Sequence, residues 1–305
     1  MSKFNKMFKG SFIGLAGIVG SLLFINKYKR KPENLPTHHF YSQTAPYILA
    51  NRGGSAVRPE NTKLAFDNAI AHNIDGFAVG VTLTKDDQVI VFNSTSLDAT
   101  TNGSGTVSEH TLNEIKKLDA GYYFTDINGQ TPYRNHKDAT ILTLAELLTY
   151  YPNAKVNIHL INQSTQQRNH LICEKVNNII NEYNSDNRIV IGSNQGEIID
   201  YFKHLNPNTA IAASKNDMMK GFIHFYLGAG NLFATKAHTF ILPIERNGIK
   251  FNSPRFIHWL NERNIVPGYC HVNNLDLMND LVYHGAHTLI TDRPDLAERF
   301  KLTYK

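Results

Sequence analysis

The chain has 305 residues, 42% of them apolar, which suits one large globular domain or two small ones. Its formal charge of +5 is gathered at one end: Lys3, Lys6, Lys9, Lys27, Lys29, Arg30 and Lys31 face only Glu33 in the first 33 residues, and the remainder is close to neutral. No basic stripe with interleaved aromatics runs through that remainder, which argues against a nucleic-acid partner, and two cysteines, Cys173 and Cys270, do not make a disulfide framework.

Residues 10–25 (GSFIGLAGIVGSLLFI) carry no charge. As a helix they would reach roughly 24 Å, short of a bilayer core of about 30 Å. Phe8 and Tyr28 suit the interfaces, and Lys9 and Lys27 can snorkel. The favoured reading is a retained membrane anchor over residues 1–30, ahead of a cleaved signal peptide or a buried helix. Asn26-Lys27-Tyr28-Lys29 follows the apolar run instead of the small residues that cleavage needs. Lysines flank both sides, so charge barely sets the orientation. A single-pass anchor with the domain outside the cytoplasm is the preferred expectation. Residues 31–41, with Pro32 and Pro36, read as a spacer, and residues 42–305 as the folded domain.

Beyond residue 42, β-rich runs alternate with helical patterns, which predicts an α/β protein with a parallel sheet. Strands are predicted at 47–51, 76–83, 89–93, 154–160, 189–193, 209–213, 240–243, 265–272 and 288–291. Helices are predicted at 60–71, 166–183, 196–204, 253–263 and 275–284. Nine strands are one too many for a (β/α)8 TIM barrel. Only Thr84-Lys85-Asp86-Asp87-Gln88 separates the second run from the third, a turn too short for a helical crossover. The third run therefore pairs antiparallel with the second, outside the ring, with Asn93 opposite Val79 and beside Ala78 and Gly80. The other eight close the barrel. Residues 119–143 are polar and rich in Gly, Asn, Asp and Tyr, and read as an insertion at the mouth.

Three segments carry the chemistry: YILANRGGSAVRPENTKLAF from residue 47, DGFAVGVTLTKDDQVIVFNSTSLDATTNGSG from residue 75, and LNEIKKLDAG from residue 112. They closely resemble the entrance motifs of the glycerophosphodiester phosphodiesterase family, H-R-G-x-x-x-x-x-P-E-N-T, D-G-x-E-x-D-V-x-L-T-K-D-G and V-x-H-D-x-x-L-D-R-T-T-N-G. Ile290-Thr291-Asp292-Arg293-Pro294-Asp295 resembles the closing motif, and Val272-Asn273 the end of its W-T-V-N strand, with Cys270 and His271 in place of Trp and Thr. The resemblance runs from residue 47 to about residue 300 and implies the barrel fold.

Phosphodiester hydrolysis needs a cation to neutralise the phosphate, a group to take a proton and a group to give one. The resemblance implies a His pair for the proton transfers and carboxylates for Ca²⁺ or Mg²⁺ in active members. Here the two His positions are Asn51 and Asn93. An amide exchanges no proton near neutral pH. The cation positions are Ala78, Gly80 and His159, and the phosphate-facing Lys position is Ile161. These substitutions predict no catalytic residue, no metal ligand set and no cofactor. The ligand-binding candidates are Arg52, Asn51, Asn93, His159 and His271, with Asn157 also expected near the mouth. Two imidazoles suit a transition metal, but no third ligand with matching spacing is visible. The expectation is a membrane-anchored, inactive member that binds a glycerophosphate-type ligand or a membrane partner protein. An active enzyme of lipid or envelope-polymer metabolism with a rearranged site is the alternative.

Overall fold

The computed structural model describes Lys27 and residues 37–304. The expected anchor over residues 1–30, apart from Lys27, and most of the spacer lie outside the described residues. Among the described residues, no helix is long and apolar enough to cross a membrane.

The strands are β1 (Tyr47–Asn51), β2 (Gly76–Leu83), β3 (Val89–Val91), β4 (Lys155–Leu160), β5 (Ile189–Gly192), β6 (Ala210–Ile211), β7 (Thr239–Pro243), β8 (Glu245–Arg246), β9 (Ile249–Lys250), β10 (Val266–Cys270) and β11 (Thr288–Thr291). Eight of them form a parallel sheet in the order β6-β5-β4-β2-β1-β11-β10-β7. A parallel bridge between Ala212 and Thr239, with Ala213 N donating to Thr239 O at 2.9 Å, joins its two ends. The result is the expected TIM barrel. β3 pairs antiparallel with β2, Val81 opposite Val91, which carries the register on to Asn93 opposite Val79. It stops at Val91, because Val91 N already donates to Leu142 O and Phe92 N is the last to reach β2, at Gly80 O.

Helices cover the ring, and Phe66, Phe202, Phe256 and Phe300 on them are fully buried against it. The first helix runs Lys63–Ala71 instead of starting at residue 60. Asn61 is left-handed (φ 58), so the helix cannot begin before Thr62, whose hydroxyl accepts from Ala65 N. Four helices were not among those predicted: Leu112–Ile115, Leu144–Tyr150, Lys215–Tyr226 and Pro294–Thr303. Thr143 with Glu146 forms a capping box, and Ser214 accepts from Asp217 N.

The barrel interior is layered. Tyr47, Val190 and Ala210 lie near the base, and Phe40 and Tyr41 of a short 3-10 helix, His39–Tyr41, pack against them from below. The expected domain start at residue 42 therefore leaves out two side chains that the barrel buries. Leu49, Ala78 and Ile290 form the next apolar cluster, with Ile241 and Cys270 against it. Residues 119–143 carry no regular helix or strand in the ring; they pack beside the start of the first helix, where Leu64 N donates to Asp138 O. None of them lines the mouth cavity.

Candidate ligand site at the barrel mouth

A cavity of about 420 Å³ opens at the C-terminal ends of the strands, the end where barrel proteins hold their ligands. Asn51, Arg52, Asn93, Asn157, His159 and His271 all line it, so the structure brings every expected ligand candidate to one place. A larger groove of about 840 Å³ lies at the opposite end. Its cations are already spent: Lys155 Nζ donates to Phe40 O, and Arg188 donates to the carbonyls of Leu148, Tyr151 and Ala154. Of the motif residues Asp75 borders it, but none of the six substituted reactive positions does, and the mouth is the better candidate.

Asp292 organises one wall. Its Oδ1 accepts from Asn51 Nδ2 and Ser55 Oγ, each at 2.7 Å, and its Oδ2 accepts from Asn273 Nδ2 at 2.8 Å and meets His271 Nδ1 at 3.1 Å. Burial opposes ionisation here, yet these four contacts outweigh it and hold the carboxyl well below the usual carboxylate range. The same contact raises the pKa of His271 against the effect of burial. His271 is left-handed (φ 58), which swings its ring off the strand direction.

Arg52 is left-handed too (φ 53), and its guanidinium is paired with Glu60 Oε2 at 2.6 Å. The expected anion contact is thus already partly neutralised, although Arg52 still borders the cavity. His159 projects from β4, and burial lowers its pKa, so it stands as a neutral imidazole. Cys270 is equally inert, its thiol pushed up to about 11 by burial.

The residues present do not fit a hard divalent cation. Ala78 packs with Leu49 and Ile290. At Gly80, an added Cβ would lie 2.9 Å from Asn93 Cγ and 3.0 Å from Asn93 Cα. Asn93 Oδ1 instead accepts from Gly80 N at 2.7 Å. The amide that replaces one proton-transfer group is therefore folded onto the position that replaces one cation ligand. His159 and His271 do share the cavity, but among the described residues no group of three His, Cys, Asp or Glu is placed to hold a metal ion.

Sequence reasoning missed Lys215 and Asn194, which also line the cavity. Among the described residues, Lys215 has no ion-pair or hydrogen-bond partner. The signal for it was present. Lys215 follows the fifth strand of the ring, β6, and residues just beyond barrel strands face the mouth.

The chain matches the glycerophosphoryl diester phosphodiesterase family over residues 52–296. It is 30% identical over 254 residues to the glycerophosphodiester phosphodiesterase of Caldanaerobacter subterraneus subsp. tengcongensis, a match covering 81% of this chain and 94% of that one. The crystal structure of the glycerophosphoryl diester phosphodiesterase domain of Mycobacterium tuberculosis Rv2277c superposes with a TM-score of 0.75 at 19% identity, covering 85% of this chain and 100% of that one. An Oleispira antarctica phosphodiesterase, solved with the product sn-glycerol-3-phosphate, superposes with a TM-score of 0.66 at 20% identity, covering 85% and 96%.

Proposed function

The chain belongs to the glycerophosphoryl diester phosphodiesterase family, and on that premise we propose that it binds a glycerophosphate-type ligand in its barrel mouth without hydrolysing it. In this reading residues 1–30 hold the barrel to a membrane. The observation that carries the proposal is the pair Gly80 and Asn93. A cation position without a side chain is filled by an amide bonded to its backbone N–H. Ala78, in an apolar cluster, and His159, a neutral ring, add no anionic oxygen. Losing one proton-transfer group costs about 10²–10⁴-fold, and here both such positions are amides. What remains suits binding: amides, two imidazoles and the cationic side chains of Arg52 and Lys215 around a concave cavity.

The test is hydrolysis of glycerophosphodiesters by the full chain with Ca²⁺, Mg²⁺, Mn²⁺ and Zn²⁺ supplied separately. The expected result is no turnover with any of them, together with saturable binding of the uncut diester. Metal-dependent turnover would sink the proposal.

An active enzyme with a rearranged site is the second reading. Two observations favour it: a relative named as a glycerophosphodiester phosphodiesterase aligns over 94% of its length, and the His271–Asp292 pair puts one proton-exchanging group at the mouth. In that case His271→Gln would abolish turnover. If the barrel serves a membrane partner protein instead, its outer helices or residues 119–143 would carry the contact. Arg52→Gln would then leave function intact.

A further inference from the structure

Two cavities meet at one wall. The mouth cavity and a smaller one of about 190 Å³ are both lined by Lys215 and Met218. Met219, Leu242, Pro243, Ile249 and Phe251 give the smaller one a wall of hydrocarbon and thioether. Its outer lip is the β8–β9 hairpin, which carries Arg246 and leaves Ile249 40% exposed. On the polar side, no carboxylate side chain lines the cavity. The amides of Asn157 and Asn194 and the ring of His159 have no hydrogen-bond partner among the described residues. Such groups suit hydroxyls.

We infer that the two cavities take one amphiphilic ligand, a monoacyl glycerophosphodiester. Its polyol head sits in the mouth, its phosphate at Lys215, and the start of its acyl chain runs along Met218, Met219 and Ile249. This rests on the ligand-binding reading above and adds the chain to it. Glu60 pairs with Arg52 and Asp292 with His271, which leaves Lys215, shared by both cavities, and Arg246 at the lip as the lining cations without a counter-ion among the described residues. The thioethers of Met218 and Met219 can adapt to a chain of varying length.

The experiment is calorimetric titration of the full chain with glycerophosphoglycerol and with its monohexanoyl derivative, which stays monomeric in water. Each buried methylene is worth about fourfold in affinity, so the acyl form should bind at least tenfold tighter. Ile249→Asp should bring it back to the affinity of the bare head group. Lys215→Gln should weaken both ligands about tenfold, and Lys220→Gln, on the same helix but outside both cavities, neither. Equal wild-type affinity for the two ligands would overturn the inference and leave the binding reading standing. A chain advantage that survives Ile249→Asp would place the chain elsewhere and also overturn it. No binding of either ligand by the wild type would overturn both.

Discussion

At the scale of single residues, the motifs made the substitutions legible because their unreactive neighbours are intact. Pro59-Glu60-Asn61-Thr62 and Leu83-Thr84-Lys85-Asp86 fix the register within which Asn51, Ala78, Gly80 and Asn93 stand out. What the sequence could not supply was contact. Nothing in it says that Arg52 would be spent on Glu60 or that Asn93 would close over Gly80. Gly80→Ala should lower stability by about 1–3 kcal/mol in a thermal melt, because its Cβ would meet a backbone atom of Asn93 as well as its side chain. Any variant that rebuilds Asp at position 80 must therefore be shown to fold before its activity is interpreted. Asp292→Asn removes the charge at which Asn51, Ser55, His271 and Asn273 converge. A loss of about 2 kcal/mol is expected. In an NMR titration the His271 pKa, raised in the wild type, should fall in this variant. An unchanged His271 titration would dissociate the pair.

Among elements, the hairpin of β2 and β3 was readable because a turn of five residues allows only an antiparallel return. The β8–β9 hairpin was not predicted, although Asn247-Gly248 is a strong two-residue turn signal. Its strands are only two residues each, too short for any alternation to show. Gly248 is left-handed (φ 77), so Gly248→Ala should loosen the hairpin by about 1 kcal/mol, seen as faster hydrogen exchange across residues 245–250. The base plug was hidden for another reason. Phe40 and Tyr41 follow a proline-containing polar stretch and carry no periodicity, so only the barrel reveals what buries them. Phe40 is 1% exposed, and Phe40→Ala should cost about 3–5 kcal/mol in chemical denaturation. A chain beginning at residue 42 should be destabilised to a similar degree. Equal stability of the two lengths would contradict the plug.

For the whole molecule, alternating β and α patterns were enough for the fold class, because a parallel sheet of eight strands with helical crossovers has few ways to bury both faces. The same architecture sets the acid response. His238 and His287 sit at the barrel base, where burial holds both pKa values down to about 4 from 6.5. Ile211 N donates to His238 Nδ1, which a protonated ring could not accept. A depressed histidine pKa means that the unfolded chain binds more protons, so stability falls as pH drops from 6.5 towards 4. Melting temperature should decline across that window, and His287→Gln should flatten the decline. The architecture also sets direction. The described chain enters through His39–Tyr41 at the base, the end opposite the mouth. The most direct test of the account is the metal-by-metal hydrolysis assay on the full chain, run beside a binding titration with the same uncut diester. The account predicts binding without turnover under every metal. Turnover that depends on a divalent cation and disappears with chelator would contradict it.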